Sequence, residues 1–570
     1  MSLRVVLAGH NLDRDLLLEI RSLLDGVLRA ETSPAREAIR ERVREVLACD
    51  NWTPETIAAA YARVSRDPRS VTELRAVARG EVDRARRSNE AIVYGLGHAS
   101  VAEHAVFNFD IMGLSRLAVE TLERRRLASF TEKSQRYIAV DEEWVVPPEV
   151  RGSPAEPAFH ALVAEQNRFY HRAHDRLLPA FLAEQTTGER GHGGERAAQG
   201  RAREDARYGL GLATTVQLGL TLNARSLEGL LARCAAHPLA EVRNLGAALH
   251  EATGDLAPSL IKNTEPTLYL REARSRLAEA VAAVVSAATA MPASAAPVAT
   301  AMPASAALSA SAADSPGAAR MGEPAPSGPA FDPADSSPEG GVRLLGTTPD
   351  PDGALVAALL FSGGAGAMEH CRALVARLGP DDRLRVAWSH LSALGPHDAV
   401  LREYELVAAE FEVVASAACY AQLKRHRMAT MVALPYDPGL GLTVPDSMER
   451  AGLGGDLRRL ADRATEVWRA IDLLAPRLQG APPPNGGYPA AAYALVNAQR
   501  RRVVVRMNAR ELHHFSRLRE DVHAQWDIRR LAAQMLALAR ERMPITLALA
   551  GGKDWFASRQ QEVFPGWGGG

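Results

Sequence analysis

The feature that most constrains this chain is an internal duplication: the same order of elements occurs on both sides of a segment that cannot build a core. From about Ser286 to Gly341 the sequence is mostly Ala, Pro, Ser and Gly, and Met-Pro-Ala-Ser-Ala-Ala occurs at 291 and again at 302. Such a segment has too few large apolar side chains to offset the entropy of ordering it, so it is predicted to be a linker. Before it stand an apolar run (Ile57 to Val64), a Gly/His turn (Gly95 to Ser100), an arginine knot (Arg124-Arg125-Arg126) and Asn223-Ala224-Arg225. After it stand Val356 to Phe361, Gly395 to Asp398, Arg425-His426-Arg427 and Asn508-Ala509-Arg510. A repeat of this length means two copies of one domain rather than a solenoid. The expected division is 1–285, linker 286–341, and 342–570, with a surface insertion at about 184–203 in the first copy.

Composition narrows the function classes. A chain of 570 residues exceeds what one hydrophobic core organises. A formal net charge of -1 gives no global basic field for nonspecific nucleic-acid binding, so an anionic ligand has to be caught locally. Cys49, Cys234, Cys371 and Cys419 are scattered without a Cys-x-x-Cys pair, which argues against zinc or disulfides and suits a reducing compartment. With no run of about 18 apolar residues and no signal peptide, the expectation is a soluble cytoplasmic protein without a membrane partner.

Leu114 to Arg126 and Val413 to Arg427 lack Gly and Pro and carry apolar residues at helical spacing, so each knot is predicted to close a helix. Residues 128–137 read as a loop leaving the first. Arg510 to Arg540 reads as one long amphipathic helix with Leu512, Phe515, Leu518, Trp526, Ile528 and Leu531 on its apolar side.

Three cationic or imidazole groups within one turn repel one another, and packing alone does not favour them. A multi-anionic partner does, because Arg forks bind phosphate bidentately and a nearby Ser hydroxyl with loop N–H groups completes the cradle. Other signals are weaker. Gly364-Ala365-Gly366 lacks the third glycine of a dinucleotide turn. His513-His514 points two ways with no carboxylate at i+4, so no metal is expected. Arg500-Arg501-Arg502 has no interleaved aromatics and reads as a solvated edge.

Gly97-His98-Ala99-Ser100-Val101-Ala102-Glu103-His104, the stretch Arg124 to Tyr137, Ala206-Arg207 and Asn223-Ala224-Arg225 resemble, in order and spacing, the flavin-dependent thymidylate synthase family. Its signature is Arg-His-Arg-x-x-Ser-x-Asn-x-x-Ser-x-Arg; here Arg125 stands at the His position and Thr131 at the Asn position. Gln422, Arg425-His426-Arg427, Asn508-Ala509-Arg510, His514, Arg519 and Ala524 to Arg529 resemble the family in the second half. The resemblance implies an α+β fold, long helices around a mostly antiparallel sheet, present twice. It implies reductive methylation of dUMP to dTMP with FAD, NADPH and methylenetetrahydrofolate. Family members are homotetramers, so a homodimer of this tandem chain would make the same four-domain body. FAD would be held by His104, Arg124, Arg126, Asn223 and Arg225 in one half and by Arg425, His426, Arg427, Asn508, Arg510 and His514 in the other. Glu132, Ser134, Arg136, Arg207, Gln422 and Arg425 would hold dUMP, with Arg519 favouring the ionised pyrimidine.

Departures from the family pattern divide between the halves. The first keeps Glu132, Ser134, Arg136 and Arg207 but has Thr121 and Cys234 where Gln and the activating Arg belong. The second keeps Gln422 and Arg519 but has Ala433, Pro435, Asp437 and Ala492 in place of the phosphate set. The His104 position has no clear equivalent there, since Tyr404 follows Glu403. Because the family builds each dUMP site between subunits, pairing of unlike halves would complete one site and leave its mirror without either set. The alternative function is a catalytically silent flavin- or nucleotide-binding homologue.

Overall fold

Phe107, Phe109 and Ile111 alternate with exposed neighbours along β2 (Val106–Ser115), as Phe411 and Val413 do with half-buried ones along β6 (Ala408–Ser416). A period of two turns one face of each strand into a core. The computed structural model describes residues 2–29, 33–48, 52–140, 142–185, 192–290, 341–391, 394–475 and 488–564. In it, β1 (Arg4–His10), β2, β3 (Ala128–Glu132) and β4 (Thr215–Asn223) form an antiparallel sheet in the order β1-β2-β4-β3. A second antiparallel sheet runs β5-β6-β8-β7, from β5 (Val342–Thr347), β6, β7 (Thr430–Tyr436) and β8 (Arg500–Asn508). The architecture is α+β, twice. Of the expected linker, 286–290 continue the helix Leu268–Ala290, and 291–340 lie outside the described residues.

Strand register assigns counterpart positions. Val106 pairs with Asn223 and Ala408 with Asn508. Glu103 therefore corresponds to Glu405 and His104 to Leu406, which corrects the comparison with Glu403 and Tyr404 by two residues. The same ion pair marks both places: Arg225 to Glu103 at 2.6 Å and Arg510 to Glu405 at 2.7 Å.

Four other expectations change. The segments before the knots are strand first: helices Arg116–Glu123 and Ala417–Leu423 begin only after Ser115 and Ser416, whose hydroxyls accept from Ala118 N (3.0 Å) and Cys419 N (2.9 Å). Apolar spacing fits either state, and the serine caps decide between them. The knots lie in the turns that follow. Residues 128–132 are strand, not loop, because β4 offers them a full ladder; the turn is confined to the residues after Glu132. The long C-terminal helix is two, Ala509–Arg519 and Trp526–Arg542, since the Gln525 side chain caps a fresh start by accepting from Ile528 N. Leu518 is exposed as a result. Finally, the insertion is not purely surface: His192–Ala206 is a helix that buries Ala198 and Ala202, while 186–191 lie outside the described residues.

The first-half core extends into the second half: Phe159, Leu162 and Leu231 pack in the same cluster as Leu457, Leu460 and Tyr493, while the second sheet keeps a core of its own around Phe411, Val505 and Phe515. Across the seam Leu212 N donates to Leu495 O (2.9 Å) and Asn497 N to Leu210 O (2.8 Å). Around these bonds two tyrosines cross. Tyr208 of the first half donates to Asp527 (2.9 Å), which also accepts from Ser416 (2.6 Å). Tyr493 of the second donates to Glu241 (2.6 Å), which also accepts from Ser115 (2.6 Å).

Candidate active site

On one side of this seam the two complementary residue sets converge within a single chain. Glu132, at the end of β3, is flanked by Arg116 of its own half and by Arg425 of the other, the latter at 2.9 Å. Burial disfavours its charge, but Arg116, Lys424 and Arg425 together hold the carboxyl below its ordinary range. Arg425 also reaches Glu123 (2.9 Å). Beyond Glu132 the chain turns, and Ser134 Oγ accepts from Arg136 N (3.2 Å). The Arg136 guanidinium pairs with Glu204 and donates to His523 O across the seam (3.3 Å).

Arg207 lies behind them, 9% exposed, and its Nε and Nη2 have no partner among the described residues. Burial lowers its pKa against the attraction of Glu204, with smaller repulsions from Arg116 and Arg136. A buried guanidinium with unmet donors is costly, and an anion would satisfy it. From the second half, Arg519 donates through Nε to His426 Nε2 (2.9 Å) and through Nη2 to Gln422 O (3.4 Å). Burial first, then Arg425 and Arg136, bring Arg519 down to about 10, so it stays cationic at neutral pH. Gln422 Nε2 donates to Gln525 Oε1 (3.1 Å), and Gln525 in turn donates to Tyr208 (2.9 Å). Next to Arg136 a cavity of about 510 Å³ opens, with Glu204, Asp205, Trp526 and Arg529 in its wall.

The knots also meet. Arg427 donates to Arg126 O (3.1 Å) and lies 5.6 Å over Phe130, while Arg126 donates to Thr430 (3.3 Å). Pairing of Ala128 with Leu222 and of Thr430 with Arg506 sets each knot beside its own Asn-Ala-Arg. Asn223 and Asn508 cap helices, accepting from Ser226 N and Glu511 N (both 2.8 Å). Met428, Asn508, Arg510, His514 and Arg517 line a cavity of about 540 Å³. Asp398, Glu405, Val400 and Leu518 share that wall, so it mixes cations with carboxylates and apolar surface. His104 is exposed, edge-on to Tyr61 at 4.7 Å.

The mirror side is filled by protein. Tyr436 is buried and donates to Glu120 (2.6 Å), and Arg501 pairs with the same carboxylate (2.8 Å). The Arg501 guanidinium lies between the rings of Tyr420 (4.5 Å) and Tyr436 (4.3 Å). Arg500 and Arg501 are thus buried, not a solvated edge: cross-strand partners and the other half's Glu120 supply what the local sequence does not show. Arg124 pairs with Glu120 (3.5 Å), and at Arg519's counterpart position Cys234 is buried, its thiol pushed up to about 11 by that burial.

Sequence reasoning missed Glu123, Lys424, Glu120, Gln525 and Tyr208. One signal was available: Glu123 and Lys424 occupy the same position before their knots with opposite charge. They pair at 2.8 Å, both buried. His513 is buried with Nε2 on Thr546 O (3.0 Å), and among the described residues no group of His, Cys, Asp and Glu could hold a metal.

A family model described as thymidylate synthase complementing protein matches the chain twice, over residues 47–259 and 343–545. The flavin-dependent thymidylate synthase of Clostridium tetani is 27% identical over 38% of this chain and 83% of its own length. That of Pyrococcus furiosus is 31% identical over 24% of this chain and 49% of its own. That of Nitratidesulfovibrio vulgaris is 30% identical over 33% and 70%.

Proposed function

Because the chain belongs to the thymidylate synthase complementing protein family, we propose that it is a flavin-dependent thymidylate synthase with one complete dUMP site per chain, composed of both halves. The observation that carries this is the convergence of Arg136 and Arg207 with Gln422, Arg425 and Arg519, with two buried Arg207 nitrogens unmatched among the described residues.

Ser134, Arg136 and Arg207 would take the phosphate, whose oxygens fit guanidinium forks. Gln422 and Arg425 would orient the pyrimidine, and Arg519 would stabilise its anionic form, raising electron density at the reacting carbon. Arg126, Arg425, Arg427, Asn223, Asn508, Arg225, Arg510, His104 and His514 would hold FAD; Arg124 on Glu120 and His426 between Arg519 and Glu511 are already engaged within the protein. When bound, FAD reduced by NADPH supplies the hydride and methylenetetrahydrofolate the one-carbon unit. No enzyme nucleophile is needed, which agrees with burial raising the thiols of Cys234 and Cys419. We assign 1–285 and 342–570 as the two domains and 286–341 as their linker, two chains per particle, and a cytoplasmic location; no described helix is long and apolar enough to cross a membrane.

Tritium release from 5-labelled dUMP tests the reaction. Release that is lost in Arg519→Ala supports it, whereas a flavin-loaded protein that binds dUMP without release supports the silent reading. Mixed dimers of Arg136→Ala and Arg519→Ala chains should show no recovery, because each chain's own site then carries one lesion. Recovery would mean that the site joins two chains.

A further inference from the structure

His426 ties the second knot to the helix Ala509–Arg519. Arginine has no hydrogen-bond acceptor, so the 2.9 Å contact between Arg519 Nε and His426 Nε2 requires a lone pair on that imidazole nitrogen. The ring proton then has to sit on Nδ1, which lies 3.3 Å from Glu511 Oε1. The tautomer follows from donor chemistry alone. Both side chains are buried, and the Phe515 ring stands edge-on to the imidazole at 4.7 Å, fixing its plane. Burial lowers the pKa of His426, which keeps it neutral as this arrangement demands. Glu511 is itself anchored, its N–H donating to the Asn508 cap.

From this geometry we infer that Glu511 is a positioning residue for Arg519: by accepting the Nδ1 proton of His426 it leaves Nε2 free to hold the guanidinium in place. The other half shows what happens where the activating group is absent. By strand register Glu511, His426 and Arg519 correspond to Ser226, Arg125 and Cys234, so all three members are replaced together. An isolated change would not link them; loss of the whole set where its terminal guanidinium is missing does. Without Glu511 the imidazole proton can move to Nε2, which then faces Arg519 donor to donor.

The inference rests on the proposed role of Arg519 in turnover, and two measurements separate the two claims. Nitrogen NMR of the full chain labelled at histidine, with His426 identified by its loss in His426→Gln, should show a protonated Nδ1 and a bare Nε2 at neutral pH. A proton on Nε2, or on both nitrogens, overturns the relay. In tritium-release kinetics Glu511→Ala should lower kcat about 10- to 100-fold while KM for dUMP moves about threefold or less, as expected for a misplaced guanidinium. Glu511→Gln, whose amide oxygen still accepts from Nδ1, should recover most of that loss. An unchanged kcat in Glu511→Ala, with Arg519→Ala inactive, overturns the relay alone. Full activity in Arg519→Ala sinks the role of Arg519 and leaves the NMR result to judge the geometry.

Discussion

The two sides of the seam are built from corresponding positions and have opposite character. One side collects Arg136, Arg207, Arg425 and Arg519 among Glu132, Glu123 and Glu204, and leaves two Arg207 nitrogens without a partner among the described residues. The other sets Tyr436 and Arg501 against Glu120, although Arg125, beside Cys234, keeps a buried Nε without a partner among the described residues. An open site keeps electrostatic tension for a ligand to relieve; a closed one spends the same residue types on stability.

The comparison depends on unlike halves meeting, and the Glu123–Lys424 pair enforces that most strongly. Lys424→Glu would bury two carboxylates face to face and should cost about 3 to 5 kcal/mol. The reciprocal exchange Glu123→Lys with Lys424→Glu should return much of it, measured as the urea midpoint. Next in size is the contrast between counterparts. Arg519→Ala should cut turnover by roughly 30- to 1000-fold, a loss on the order of 2 to 4 kcal/mol. Cys234→Ala should leave it unchanged, and an equal effect of both would erase the distinction between the sides.

Acid should attack both sides, Glu132 on the open one and Glu120 on the closed one. Although burial disfavours its charge, Arg501, Lys424 and Arg124 hold Glu120 at about 2, below its ordinary 4.5. Its folded pKa is the lower one, so its contribution is complete above pH 4.5 and drains away as the pH falls toward 2. The amount is at most about 3 kcal/mol. Stability followed between pH 5 and 2 should fall less steeply in Arg501→Met, and an unchanged slope would show that Glu120 is not the group being protonated. The smallest effect belongs to Tyr436→Phe, which removes one buried hydroxyl bond and should cost about 1 to 2 kcal/mol without altering dUMP affinity. Tighter dUMP binding in that variant would mean that the closed side can still open.

Much of this was legible before any coordinates. The duplicated knots and the paired Asn-Ala-Arg predicted two equal domains, because a functional turn leaves a dense local signature. The uneven loss of Gln, Ser and Arg predicted complementary sets. What was not legible is long-range. Residues 128–132 look like a loop until β4 pairs with them. The break after Arg519 has neither Gly nor Pro to announce it and is set by the Gln525 cap. Arg500 and Arg501 look solvated because the residues that bury them are far away in the chain: Glu120 belongs to the other half, and Tyr420 and Tyr436 stand well before them.

The crossed tyrosines carry a consequence for unfolding. Each helix that leads into a knot starts at a serine whose carboxylate partner is completed by a tyrosine from the opposite half. Neither domain can melt without stripping a buried carboxylate of its donor in the domain that remains. Cooperativity is thereby shared across the duplication: the pair should lose structure in one calorimetric event, and a lone half would inherit an exposed, half-bonded seam rather than an independent fold.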